Sequence, residues 1–263
     1  MSAVRTIVAK EWADVARHKT VLGVIVFLPL LLTAIPLVML AVTSRVGVSD
    51  ADLRELGPLL QNPMFAGLGP VEAMQSAMAS NFLVLFLLMP IMVPLTIATY
   101  SIVGEKLSRS LEPLLATPIT TAQLLLGKGI AAAAPGVAGL WVCYALFLAG
   151  SRLFAASDRV WAIFVDPMWL VALFVLAPLL TVLAVSVGIL VSSRTSDPRA
   201  AEQLGSLVVL PLMALLIGAL LGLVRLNSAT FWVAAAGVAL VDVGLGFLAV
   251  RLFRRETILT RWK

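Results

Sequence analysis

The chain of 263 residues contains one cysteine, one histidine and two tyrosines, and only 13% of its residues are charged. Each shortage excludes a class of chemistry. The lone Cys143 lies in an apolar run and has no partner for an intrachain disulfide, so it reads as a small hydrophobe. His18 is the one imidazole, at the edge of an apolar run, where it has no cluster with metal-ligand spacing and no triad to join. Asp242 is the only acid inside any long apolar window, so the paired carboxylates of an intramembrane aspartyl enzyme are missing. Gly127, Lys128 and Gly129 lack both the leading glycine and the Ser or Thr of a phosphate-binding loop. No nucleophile stands beside a base. These shortages exclude an enzyme and leave no metal or nucleotide site in the chain.

What the sequence has in excess is apolar length. Hydrophobic residues make up 61% of it and the mean hydropathy is +1.05, which leaves no segment able to build a water-soluble core. The expected fold is an all-α integral membrane protein forming one domain over residues 1–263. A spanning helix needs about 20 apolar residues, and charge-free windows of that size run over Val21–Val42, Met78–Val103, Gly129–Gly150, Met168–Val191 and Gly205–Val224. A sixth, Phe231–Val250, contains Asp242. Its Leu, Val and Phe residues, at roughly 0.3–0.6 kcal/mol each, offset the ~3 kcal/mol cost of inserting one central Asp. Val21–Val42 exceeds a signal-peptide core and lacks a small-x-small cleavage pattern, so it is expected to stay in the mature protein.

Six spans put both termini on one side. Lys and Arg total 14 on that side and 5 on the other, so the positive-inside rule places both termini in the cytoplasm. The net charge of +5 is therefore a topology signal and an attraction to anionic lipid, with no call on nucleic acid. Residues 1–20 place Ile7, Val8, Trp12, Val15 and Ala16 on one helical face, which predicts a helix lying along the inner interface. Residues 43–77 form the longest outer loop, where Ser49 and Asp52 suit a capping box for a short helix that Pro58 ends. The six tryptophans, Trp12, Trp141, Trp161, Trp169, Trp232 and Trp262, fall mostly near predicted boundaries and are expected to act as interfacial anchors. Pro29, Pro36, Pro90, Pro94, Pro178 and Pro211 interrupt spans and predict kinks. Gly218 and Gly222 form a GxxxG spacing that permits close helix packing.

The most patterned polar stretch is Gly104–Lys128, GEKLSRSLEPLLATPITTAQLLLGK, between the second and third spans. Glu105 and Arg109 form an acid-to-base pair four residues apart, and Lys106 and Glu112 continue a short charged helix that Pro113 stops. This stretch resembles the first cytoplasmic loop of permease subunits in the ABC type 2 exporter family. That loop commonly reads Gly-Glu-Lys, then Leu-Glu-Pro-Leu-Leu-Ala-Thr-Pro, then a downstream Gly-Lys. Gly104, Glu105, Lys106, Leu111, Glu112, Leu114, Leu115, Thr117, Pro118, Gly127 and Lys128 match it, whereas Leu107 and Arg109-Ser110 stand where many members carry another acid and a Gly-Thr pair. Ser192–Met213 is similar to the family's second cytoplasmic loop and fifth span, and Lys10-Glu11 to its amino-terminal Lys-Glu.

The resemblance covers essentially the whole chain and is nearest the sodium-efflux and drug-resistance members. It implies a permease half that pairs with a second copy or a paralogue in a prokaryotic plasma membrane. It also implies a separate ABC ATPase carrying Mg-ATP, contacted through a coupling helix bearing Glu105, Lys106, Arg109 and Glu112. A different reading of the residues is a secondary transporter that uses Asp242 as its proton or cation site. A third is a scaffold that anchors a partner through the same loop.

Overall fold

The computed structural model describes residues 3–49, 67–107, 119–195 and 197–252, with the isolated residues 54, 57 and 65; the side chains of residues 20, 106, 121 and 248–252 are outside that set. Among the described residues there is no strand. Six helical stretches are long and apolar enough to cross a membrane: Val21–Val46, Pro70–Glu105, Ala122–Phe154, Asp158–Arg194, Pro198–Leu220 and Ser228–Phe247. The expected all-α membrane architecture is thus present, with six spans in the expected order.

The chain opens with helix α1, Ala3–Arg17, which ends where His18 takes an extended backbone conformation, and α2 follows at Lys19–Val46. Lys19–Val46 carries Pro29 and Pro36 without breaking. The second span starts earlier than its apolar window. Glu72 reaches back to cap the helix start, with the Gly69 N–H donating to Glu72 Oε2 at 2.8 Å, and Pro70 supplies a preorganised first turn. Helix α3, Pro70–Phe86, therefore takes up eight residues from the predicted outer loop. Asp52 and Pro58, which were expected to build a helix there, lie outside the described residues.

Proline spacing explains where the spans are interrupted. Pro90 has no N–H for the Phe86 carbonyl, and α3 gives way at Leu87–Leu88 to two tight bonds, Leu87 N–H to Val84 O and Leu88 N–H to Leu85 O, before α4 begins at Met89–Leu107. Helix α5, Thr121–Phe154, contains Pro135 and starts from a Thr120–Gln123 capping box. The fourth span begins with the short helices α6, Asp158–Phe164, and α7, Pro167–Val171. It then widens into a π turn at Ala172–Leu176 before α8, Ala177–Arg194. Pro178 cannot donate to Phe174, and the Ala177 N–H reaches back to Ala172, which is the widened register of a π bulge. Asp197 caps α9, Pro198–Gly205. A 3-10 turn at Ser206–Val209 then closes the Leu207 carbonyl through the Leu210 N–H, because Pro211 has no N–H to offer it. Helices α10, Leu210–Leu220, and α11, Ser228–Leu252, complete the bundle.

The GxxxG pair has a different place from the one expected. Helix α10 ends at Leu220, and Gly222 lies beyond it with φ +70°, a conformation that favours glycine. Its N–H donates to Ala219 O, and the Val224 N–H returns to Gly218 O at 2.9 Å. The two glycines terminate the helix and fold the following turn onto it; they do not form a packing face.

Packing centres on α4, within the most buried span. A Cβ at Gly136 of α5 would stand 2.7 Å from Pro94 Cγ, one at Gly188 of α8 would stand 3.0 Å from Ala98 Cβ, and one at Gly205 of α9 would stand 2.6 Å from Leu95 Cδ1. Three neighbours thus each present a glycine notch to α4. In lipid, close contact of this kind supplies the association energy that apolar burial supplies in water. Towards the end of the bundle away from the termini, an aromatic core links five elements: Phe86 against Phe147, Phe147 against Phe164, and Trp169 against Phe231. Trp169 is fully buried, with its indole N–H on Ile163 O at 3.0 Å, so it is a core residue and not the interfacial anchor its position suggests.

The same end is fastened by Gln75, 1% exposed. Its amide N–H₂ donates to Leu40 O, Thr43 Oγ1 and Phe154 O, and its Oε1 accepts from the Ala156 N–H at 2.8 Å. One side chain therefore joins the ends of the first three spans.

The Gly136 notch makes a test. Gly136→Ala is expected to destabilise the protein by about 1–3 kcal/mol, because the Pro94 ring cannot turn aside. Gly139→Ala, where an added Cβ meets nothing within 4 Å, is expected to be neutral or better. Thermal melts of the two variants in detergent would show the difference.

Candidate functional site

Helix α1 packs chiefly on α5, and the reason is in its spacing. Val4, Ile7, Val8, Glu11, Asp14 and Val15 recur every three or four residues and form the less exposed face. Trp12 and Ala16, which the sequence grouped with Ile7, Val8 and Val15 on one apolar face, lie off this stripe and are exposed, Trp12 to 47%. The Trp12 indole N–H still reaches α5, donating to Ala131 O at 3.0 Å. Ile7 sits against Gly127, where a Cβ would come within 2.7 Å of Ile7 Cγ2. Gly127 is thus the notch that lets α1 approach, and the next residue, Lys128, makes the contact ionic.

Lys128 is 5% exposed and Glu11 3% exposed. The Lys128 ammonium lies 2.8 Å from Glu11 Oε1 and 2.9 Å from Glu105 Oε1, and donates to Ser101 Oγ at 2.6 Å. A buried ammonium has three protons to place, and these three oxygens take them. Glu105, 5% exposed at the end of α4, also accepts from Lys10 Nζ at 2.6 Å. Lys10 lies half-exposed at the rim, 3.4 Å from Glu11 and 3.7 Å from Asp14. Lys10, Glu11, Glu105 and Lys128 together carry no net charge, which makes their burial tolerable.

The electrostatics agree. Burial alone would push the Glu11 carboxyl up, but the Lys128 ammonium, aided by Ser101 and Lys10, more than offsets this and holds it below the usual carboxylate range. Burial would likewise lower the Lys10 ammonium, but its hydrogen bond and charge contact with Glu105 leave it above its usual value.

Sequence reading treated Glu105 as the first turn of a separate coupling helix. In the structure α4 continues through Gly104 to Leu107, so Glu105 ends the second span and faces inward. Lys106 is described only in its backbone, and Arg109 and Glu112 lie outside the described residues. A second polar link joins α9 to α4: Thr96 Oγ1 donates to Glu202 Oε1 at 2.5 Å. Sequence windows missed Glu202 because α9 begins the fifth span seven residues before the charge-free run. Glu11 entered the sequence reading only through the Lys10-Glu11 likeness; its burial on the stripe it shares with Asp14 comes from the packing of α1 on α5.

Three pieces of sequence far apart in the chain, Lys10-Glu11, Glu105 and Gly127-Lys128, thus meet at one point. The family model described as ABC-2 family transporter protein matches residues 5–238, from α1 into α11. The chain belongs to the ABC-2 transporter family. No curated protein and no solved structure gives a match. Members of this family are membrane transport components, and in this ABC-2 permease the ion cluster closes the base of the loop that joins α4 to α5.

Removing one member of a buried cluster strands the others. Lys128→Met is expected to cost about 3–5 kcal/mol, and adding Glu11→Gln to recover part of that by restoring neutrality; denaturation of the single and double variants measures both. Because the folded Glu11 titrates below its unfolded value, its stabilisation is complete above about pH 4.3 and fades as pH falls through the lower folded value. The stability gap between wild type and Glu11→Gln is therefore expected to shrink in acid.

Proposed function

We propose that the chain is the permease subunit of an ATP-driven exporter and that it takes its energy from a separate ATPase through the loop between α4 and α5. The observation supporting this reading is the ion cluster. The residues on either side of the loop, Glu105 and Lys128, are 2.9 Å apart and are held jointly to α1 through Lys10 and Glu11. A force applied to such a loop is delivered to three helices together. Coupling requires a contact that differs between two states of the partner, plus a stiff connection to the transporting body; the cluster is the stiff connection.

Arg109 and Glu112 would make the contact, with Lys106 beside them. Glu105 would contribute by fixing the loop's base, since it faces the cluster. The ATPase, with its Mg-ATP, would lie in the cytoplasm on the side of the termini, in line with the excess of Lys and Arg there. Helix α1 would rest at the inner face of the membrane, and a second permease copy or a paralogue would complete the pathway. Family membership weighs against a secondary transporter that needs no ATPase.

Reversing Arg109→Glu and Glu112→Arg together changes the proposed contact while sparing the cluster. Pull-down of the tagged chain from its native membrane, read by mass spectrometry, is expected to recover an ABC ATPase with wild type and to lose it with the double variant. Equal recovery from both would remove this loop from the docking role.

A further inference from the structure

Among the described residues the larger sets of buried apolar side chains pack as two separate groups, one towards the termini and one towards the far end of the bundle. Four helices run through both. In α2 the terminal-side group holds Val21, Val24 and Ile25, and the far group begins at Leu28. In α4 the terminal-side group holds Ile97 and Ile102, and the far group Met89 and Ile91; in α5 the division falls between Ala133 and Leu140. Each of these three changeovers coincides with a proline: Pro29, Pro94 and Pro135. A proline has no N–H for the carbonyl four residues earlier, so the Ile25, Pro90 and Ala131 carbonyls lose their usual helical partner. Only α8 passes this level, between Ala184 and Val185, without a proline. Pro94 lies about 20 Å along α4 from Leu107, and Pro135 about 20 Å along α5 from Thr121. The two helices meet there, since a Cβ at Gly136 would stand 2.7 Å from Pro94 Cγ.

On the terminal side of this level the helices are tied together by the ion cluster and by Ile7 in the Gly127 notch. The Trp12 indole N–H completes the tie, because the Ala131 carbonyl it reaches at 3.0 Å is the one Pro135 leaves without a partner. Beyond Pro135, α5 has other partners. Its Trp141 indole N–H donates to Leu173 O at 3.1 Å, its Tyr144 O–H donates to Phe164 O at 2.6 Å, and Gly150 receives Leu37. Two well-tied bodies thus meet at a level where three of the four connecting helices lack a backbone hydrogen bond. We propose that Pro29, Pro94 and Pro135 form one hinge, on which α1 and the terminal-side ends of α2, α4 and α5 tilt as a body against the far body, with the unbroken α8 as pivot. As the step that follows docking, this rests on the ATPase-coupled reading; as a property of the chain it does not, and it is measured without an ATPase.

Hydrogen–deuterium exchange of the full chain in phosphatidylcholine nanodiscs, read by mass spectrometry, tests it. Amides around the three prolines are expected to exchange faster than those around Gln75 or Lys128. Pro29→Ala gives the Ile25 carbonyl its N–H, and is expected to slow exchange by about fivefold, the scale of one net hydrogen bond, around Pro94 and Pro135 as well as within α2. Pro135→Ala is expected to do the same to α2 and α4. Trp12→Phe unpairs the Ala131 carbonyl and is expected to speed exchange at all three places, with the amides around Gln75 unchanged in every variant. A response confined to the helix that carries the substitution or the freed carbonyl would mean three independent kinks and overturn the hinge. So would wild-type exchange around the prolines no faster than around Gln75 and Lys128. Either result would leave the docking role of the loop untouched, and loss of that role would leave the hinge standing.

Discussion

A lysine ammonium held almost dry between two carboxylates is the contact on which the rest of this bundle's terminal-side end depends. Lys128 cannot be buried without Glu11 and Glu105, and each acid cannot be buried without a base. Because the four charges come from α1, α4 and α5, satisfying them fixes three helices at once. The Gly127 notch then decides how near α1 can come, and Ser101 takes the last ammonium proton. An apolar contact of similar area would hold these helices less specifically, since in a membrane lipid competes with any apolar surface.

The opposite end is held by other means. Gln75 gathers two carbonyls, a hydroxyl and an amide from two stretches of chain, the ends of α2 and α5, and the aromatic core below it joins five elements. The second and third spans are thereby tied at both extremities, by ions at one and by an amide at the other. Between them α4 rests in glycine notches of α5, α8 and α9. The spans formed by α10 and α11 are the less covered ones, and the Asp242 carboxylate of α11 has no hydrogen-bond partner among the described residues. Structural support is therefore concentrated in the first four spans.

Much of this was legible in the sequence. Apolar length alone gives six spans and their order, since no other arrangement satisfies the backbone in lipid. Span ends were less legible, because helix ends are set by caps and prolines and not by hydropathy: Gly69 with Glu72 extends α3, Pro90 divides the second span, and Asp197 starts α9 among charged residues. The Gly-Glu-Lys and Gly-Lys fragments identified the loop as special, yet nothing in a linear pattern shows that Glu105 turns inward to Lys128. That is a property of three helices in contact. Glu11 is the instructive miss, an acid buried on the stripe of α1 that it shares with Val4, Ile7, Val8, Asp14 and Val15. Gly222 is another, since a four-residue spacing looks the same whether it packs two helices or ends one.

The cluster also has a consequence for how the protein reaches its membrane. Lys10 and Lys128 belong to the basic excess that orients a nascent multi-span chain, and orientation is decided while segments insert one after another. At that stage Glu105 has no partner from the third span and Lys128 has not yet met α1, so both lysines act as free positive charges. Once the helices assemble, Glu11 and Glu105 neutralise the two lysines and enclose them. The same two side chains thus count towards the basic excess of the sequence and carry no net charge between them and their acids once the bundle has formed.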